Sequence, residues 1–268
     1  MKKALLKAAA GVMLGTFIVF GYHAIADAAR ITKTLDEDKK MMPPGVIVTT
    51  STDIPKFKKG TAVTLNEYGE VLEGILADDV SLPYETGISQ DSVKPSAMTY
   101  TPLPFYIFSY SYAAPTGRVL PFKAGTKVIF NDKGEVIKGT ISSSNQSIVL
   151  NPANHIQVSD AEISFYKNGM VATCTLASDS YLRPVGWSQI LTENYPDGTV
   201  GSGFIEFKAG KPILLNEKGE IIRGTLNKDT KLLSPVGILS SVGTAVKVYE
   251  AGTMVEFDDK GIVVKSSK

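Results

Sequence analysis

The chain has 268 residues, with 28 Lys and Arg against 27 Asp and Glu, two His and a single Cys. So even a balance, with no long block of one sign, excludes the basic face that an electrostatic nucleic-acid binder needs. One cysteine excludes an internal disulfide framework, so the fold must rest on ordinary burial, for which about 240 residues beyond an export signal suffice.

Lys2, Lys3 and Lys7 precede an uncharged, mostly apolar run from Ala8 to Ala26, with small residues at Ala24, Ala26 and Ala28. A positive start, an apolar centre and an Ala-x-Ala exit predict a secretory signal peptide over residues 1–28, cleaved after Ala28, with Ala26 as the alternative. A retained membrane anchor is the competing reading, because the run approaches the length of a span. Gly11, Gly15, Thr16, Gly21 and His23 dilute it, and the absence of a nearby Cys argues against a lipoprotein. Without residues 1–28 the chain keeps 25 basic and 26 acidic residues. The expected location is secreted or periplasmic, with no membrane span after cleavage. Residues 29–45, charged and ending in Pro-Pro-Gly, read as a flexible lead-in.

From residue 46 to 268 helical periodicity is absent. Short runs of Val, Ile, Thr, Phe and Tyr alternate with Gly, Pro, Asn and Asp, which predicts an all-β fold. One phrase recurs: "FKKGTAVTLNEYGEVLEGIL" (57–76), "FKAGTKVIFNDKGEVIKGTI" (122–141), "FKAGKPILLNEKGEIIRGTL" (207–226) and a truncated "YEAGTMVEFDDKGIVVK" (249–265). A degenerate half-copy, "ISFYKNGMVATCTL" (163–176), lacks the opening words. Fixed motif and unequal spacing predict repeated antiparallel hairpins in an extended curved sheet, a barrel or a sandwich, with units near 57–95, 122–150, 163–186, 207–240 and 249–268. "DDVSLPYETG", "SDSYLRPVG" and "KDTKLLSPVG" follow three of the hairpins and suggest a third strand leaving each.

Asn at the first place of "NDKG" and Gly at the fourth suit a type I turn closed by a left-handed residue. Asn66, Asn131, Asn216 and Asp258 share the first role, and Gly69, Gly134, Gly169, Gly219 and Gly261 the second, with Asn168 kept in the degenerate copy. Alternation puts Val128 with Phe130 on one face, and Ile137, Gly139 and Ile141 together on a face, as with Leu72, Gly74, Leu76 and with Ile222, Gly224, Leu226. A glycine on an apolar face marks a close approach or a bend. Glu70, Glu135 and Glu220 are expected to solvate the turn end. The turns are too short for a calcium loop and lack its closing Glu.

Chemistry-bearing patterns are sparse. His155 stands alone outside the leader, without a second His, Cys or carboxylate cluster to make a zinc site, and no cofactor is expected. There is no nucleophile elbow, phosphate loop or dinucleotide fingerprint. Cys174, in "MVATCTL", reads as a small buried apolar side chain. In "TYTPLPFYIFSYSYAAPTG" (99–117), Tyr106, Phe108, Tyr110 and Tyr112 alternate along one strand face. They read as core, or as an aromatic platform for a glycan or protein, with Trp187 a second candidate for such a surface.

The hairpin phrase, in residues 57–76, 122–141, 207–226 and 249–265, resembles secreted bacterial β-hairpin repeat proteins and is distantly MORN-like. The resemblance implies a repeat scaffold used for interaction and carries no catalytic residues. It departs from MORN repeats in lacking a second Gly-rich step and in its long, unequal inserts. The expected function is an exported, non-catalytic surface for a protein or glycan of the cell envelope. Two alternatives stay open: an envelope hydrolase with carboxylates scattered in the inserts, and a structural subunit assembling through edge strands.

Overall fold

The structure, a computed structural model, describes residues 30–45, 54–85, 118–151, 154–189, 203–235 and 244–268. The predicted signal peptide and Tyr106, Phe108, Tyr110 and Tyr112, expected to alternate along a strand, lie outside the described residues. Among the described residues no helix is long and apolar enough to cross a membrane.

Eleven strands form one sheet: β1 (Ile31–Thr34), β4 (Ala62–Leu65), β5 (Val71–Ile75), β8 (Lys127–Phe130), β9 (Val136–Thr140), β12 (Glu162–Phe165), β13 (Val171–Thr175), β16 (Pro212–Leu215), β17 (Ile221–Thr225), β20 (Met254–Phe257) and β21 (Val263–Ser267). They pair antiparallel in that order, so sequential hairpins lie side by side, and no described pairing joins β1 to β21. Between successive hairpins the chain makes two-stranded ribbons: β2 (Lys39–Lys40) with β3 (Lys56–Phe57), β6 (Val80–Glu85) with β7 (Arg118–Phe122), β10 (Gln146–Asn151) with β11 (Asn154–Val158), β14 (Ser180–Leu182) with β15 (Ile205–Phe207), and β18 (Thr230–Pro235) with β19 (Thr244–Tyr249). The unit is therefore four strands, a sheet hairpin and a ribbon, and not the three read from the sequence. The strand that leaves each hairpin needs a partner for its backbone groups, and the strand returning to the next hairpin supplies it.

The ribbons form a second layer under the sheet. β6 packs along β9 and β18 along β21, and Tyr84 of β6 stacks on Phe165 of β12 with ring centroids 4.7 Å apart. Leu82, Leu120, Ile148, Ile156, Leu182, Ile205 and Leu232 of the ribbons join the inward residues of the sheet in one continuous core. The stretch 29–45, expected as a flexible lead-in, instead carries β1 alongside β4, Thr32 opposite Thr64. Its alternation was masked because β1 is an outermost strand: all four residues are exposed, and only the following Leu35 reaches the core, at 2% exposure.

The five hairpin turns share one geometry. Gly134 has φ 75° and its four counterparts lie between 76° and 79°, while Gly134 donates its N–H to the Asn131 carbonyl at 3.1 Å. The Asn131 side-chain oxygen accepts the N–H groups of Lys133 and Glu135 at 2.9 and 3.0 Å, which satisfies donors that the tight loop would otherwise strand. Asn66 and Asn216 make the same pair of bonds, and Asp258 does so for Lys260 and Ile262.

The structure departs from two expectations. Glu135 does not solvate the turn: it is 7% exposed, and its carboxylate accepts the Asn131 amide at 2.7 Å, as Glu70 does from Asn66 and Glu220 from Asn216. The second strand also carries a bulge. Phe130 pairs with Val136 but Ile129 with Lys138, so one extra residue is inserted after Val136. The insertion moves Val136 into the core beside Gly139 and turns Ile137 to the other face. Val71 and Ile221 replace Leu72 and Ile222 on the core face for the same reason.

The repeated glycine of the second strand makes room for a ring. A Cβ on Gly74, Gly139 or Gly224 would sit 2.6 Å from Cδ1 of Phe57, Phe122 or Phe207. Each ring is fully buried. The degenerate copy exchanges both members: Val158 bridges Leu176 where Phe122 bridges Ile141, and Cys174, opposite Ile213 as Gly139 lies opposite Ile163, takes the glycine place. The smaller side chain on one strand leaves space for the larger on the other.

At the opposite end from the hairpin turns, four of the five ribbons are closed by a carboxylate that accepts a backbone N–H. Asp38, Asp79, Asp179 and Asp229 accept the backbone N–H of Lys59, Ala124, Ala209 and Ala251 at 2.6–2.8 Å. The separation along the chain ranges from 21 to 45 residues, yet the closure is the same, so an insert's length does not reach the sheet. In the β10–β11 ribbon the Ser144 hydroxyl takes this place, accepting from Asp160 N–H at 3.3 Å and donating to its carboxylate at 2.6 Å.

Gly134→Val forces a branched side chain into positive φ and is expected to lower unfolding free energy by ~1–3 kcal/mol in urea denaturation. Gly139→Ala drives a methyl group into the Phe122 ring and should cost ~1–3 kcal/mol. Adding Phe122→Val, the pairing that Val158 and Cys174 already show, should give a double variant more stable than the sum of the single losses by about 0.5 kcal/mol or more. Additive losses would show that ring and glycine do not interact.

Candidate functional site

Along β14–β15 the register pairs Ser180 with Phe207, Tyr181 with Glu206 and Leu182 with Ile205. Leu182, Ile205 and Phe207 are buried against the sheet. Alternation then turns Tyr181 and Glu206 outward, and continues one step to Arg183 and Phe204. The outer face of this ribbon thus gathers two aromatic rings, a cation and a carboxylate.

Beyond Leu182 the chain hooks onto the sheet. Arg183 accepts the Ile221 N–H at 2.9 Å through its carbonyl, and Val185 donates its N–H to the Ile221 carbonyl at 2.9 Å. A short 3-10 turn then begins at Trp187, whose N–H bonds to the Pro184 carbonyl at 3.1 Å. This fold-back lays the indole over the Arg183 guanidinium, with Cζ 4.0 Å from the ring centroid, while Phe204 lies 4.5 Å away. A Cβ on Gly203 would meet Trp187 Cε3 at 2.7 Å, so a glycine there lets the ring settle against the returning strand. The guanidinium is held as a flat plate by two aromatic residues, each worth of order 0.5–2 kcal/mol.

A second cation enters from the turn after β17. Lys228 Nζ lies 2.9 Å from Glu206 and 2.9 Å from the Tyr181 hydroxyl, and 5.5 Å from the Tyr181 ring centroid. The hydrogen bond to Tyr181, followed by that to Glu206, holds the ammonium pKa above the usual lysine range, so Lys228 is charged at any physiological pH. Asn227 next to it donates to Asp179 at 2.9 Å, which fixes the turn that delivers the lysine. By contrast, Arg183 Nε is shut off from solvent and has no hydrogen-bond partner among the described residues.

Other sequence candidates sit elsewhere. Trp187 belongs to this face, whereas Tyr106, Phe108, Tyr110 and Tyr112 fall outside the described residues. Asn66, Gly69, Asn131, Gly134, Asn168, Gly169, Asn216, Gly219, Asp258 and Gly261 are spent on the turns. His155 is exposed on β11 opposite Val149, and among the described residues no His, Cys, Asp and Glu side chains group as metal ligands. The outer face of the sheet carries a shallow depression of about 200 Å³ by Ala62, Glu73, Ile75 and Lys127. Its polar groups already serve one another: Lys127 pairs with Glu73 at 2.9 Å and Thr64 with Glu73 at 3.1 Å. Sequence reasoning missed Arg183, Phe204, Glu206 and Lys228. The signal available was "RPVGW" beside "GSGFIEF": a cation, an aromatic and a glycine on two runs that a hairpin would bring together.

Set against known protein families, curated proteins and solved structures, the chain matches none of them.

Burial of Cys174, 2% exposed, pushes its thiol up to about 12. The neutral thiol is inert to disulfide reagents, so Cys174 should not react with a chromogenic disulfide at pH 8 until denaturant is added. Fast reaction of the folded chain would remove it from the core.

Proposed function

We propose that this chain is an exported β-repeat protein that presents a binding surface to a protein or glycan of the cell envelope. The observation that carries this reading is the outer face of β14–β15, where half-buried Trp187, Phe204 and Tyr181 stand with Arg183, and Lys228 reaches in from the turn after β17. Aromatic side chains with one apolar and one wet end suit recognition surfaces. The rest of the repeated phrase is occupied in making turns and core, which leaves recognition to the ribbons and their inserts. The ribbons support this in their direction: all five start and end at the closed end, four of them through an aspartate and one through Ser144, so each connection between ribbon strands departs from the end that carries the hairpin turns. Segments that vary in length while a rigid frame holds their ends are the usual carriers of binding. The export signal and the MORN-like phrase point the same way.

Trp187 is the only tryptophan, so its emission reports on this face alone. The purified chain is expected to co-sediment with isolated cell-envelope fragments, and binding should protect Trp187 from acrylamide quenching. Absence of co-sedimentation would sink the proposal. Co-sedimentation with Trp187 still fully quenchable would move the surface to another part of the molecule.

A further inference from the structure

Resting on that binding reading, we infer that the outer face of β14–β15 is a recognition site for a carboxylate-bearing glycan, whose carboxylate is taken by the end of the Arg183 guanidinium.

The cations on and near this face differ in the partners they already hold. Lys228 has Glu206 and the Tyr181 hydroxyl, both at 2.9 Å. Elsewhere Arg223 has Glu256 at 3.8 Å and Arg118 has the Val149 carbonyl at 3.4 Å. Arg183 has two ring faces and, among the described residues, no oxygen acceptor. A guanidinium needs acceptors in its own plane, and aromatic faces occupy only the space above and below it. Its Nε side is closed, so the two Nη groups at the end of the fork are what a ligand meets. That end matches the two oxygens of a carboxylate through parallel charge-assisted bonds.

Preorganisation strengthens the match. An arginine loses rotamer freedom when it binds, at a cost of about 0.5–1.5 kcal/mol for a free side chain. Trp187 and Phe204 have fixed this one before any ligand arrives. Charge then narrows the anion. Among the described residues Glu206 is already answered by Lys228 at 2.9 Å, which leaves Arg183 as the unpaired cation beside the rings; that suits a single carboxylate, while a phosphate dianion would be set beside the Glu206 carboxylate. The rings narrow the carrier. Tyr181, Trp187 and Phe204 are half-buried, and Arg183 follows Tyr181 by two residues, one step past the end of β14, so an extended chain sets their positions about 6.7 Å apart. Sugar rings offer flat apolar faces to such side chains with their hydroxyls left in water, whereas an acidic peptide brings charge without a ring to cover them.

The test titrates the full chain with polygalacturonate, neutral dextran and poly-glutamate, following Trp187 emission and mobility in gels containing each polymer. Polygalacturonate is expected to bind, more weakly as salt rises, and the other two to bind at least tenfold more weakly. Arg183→Lys keeps the charge but loses the planar fork, and should weaken polygalacturonate about tenfold, the worth of one charge-assisted hydrogen bond. Glu206→Gln removes the carboxylate and should tighten binding about twofold or more. Melting temperature and the protected Cys174 thiol verify that each variant is folded. Equal binding of dextran would overturn the carboxylate, and equal binding of poly-glutamate would overturn the glycan. Unchanged affinity in folded Arg183→Lys would overturn the role of the fork. Envelope co-sedimentation with no response to polygalacturonate would overturn this inference alone, and loss of co-sedimentation would overturn the binding reading beneath it.

Discussion

The packing of a phenylalanine ring against a glycine backbone is the contact on which the architecture depends. Phe57 on Gly74, Phe122 on Gly139 and Phe207 on Gly224 each join the end of a ribbon to the second strand of the hairpin that follows. A full ring can lie this close to a strand only where no Cβ stands up from it. Burying such a ring contributes about 1.5–3 kcal/mol. It also fixes position, because any slip of the hairpin by one residue would present a side chain where the ring must go. The Val158 and Cys174 pair shows that volume is conserved even where the motif is not.

Around that contact the fold separates two tasks. Sheet hairpins set the repeat by turn, bulge and ring, while ribbons carry whatever is inserted between them. The aspartate closure makes the separation work. Because Asp79 holds Ala124 and Asp38 holds Lys59 with the same geometry, the loop beyond each ribbon changes length at the slow logarithmic cost of loop closure and not at the expense of sheet register. The outermost strands are guarded. Lys33 stands opposite Val63, on the core-facing side of β1, and Lys265 opposite Glu256 on β21; charges in such places discourage the addition of further strands.

The outer face of β14–β15 differs from the outer face of the sheet in how its polar groups are used. On the sheet, Lys138 pairs with Glu162, Ser164 with Thr173 and Arg223 with Glu256, a solvated surface whose exposed pairs contribute 0–1 kcal/mol each. On the ribbon, two rings hold a guanidinium that has no oxygen acceptor among the described residues, with its Nε closed off and its two Nη groups left at the end of the fork. A surface that has satisfied itself has little to offer a ligand, and one that has oriented a cation without pairing it does.

The sequence by itself determined the class and the repeat. Asn131 and Gly134 announce their turn because the bonds involved span four residues, and alternating Val, Ile and Phe announce strands because the side-chain period is two. Everything that depends on a partner distant in the chain was hidden. The bulge after Val136 reverses the faces of Ile137 and Val136, which local alternation cannot reveal, since the extra residue is defined only against Ile129 and Phe130 across the hairpin. The charged residues 30–45 look unstructured until β4 lies beside them. Trp187 could be singled out as a rare aromatic, but its partners Arg183 and Phe204 become a site only when β14 meets β15 and the chain folds back over both. Local bonding is written in adjacent residues. Convergence of distant side chains on one face is decided by strand pairing, and so by the tertiary structure alone.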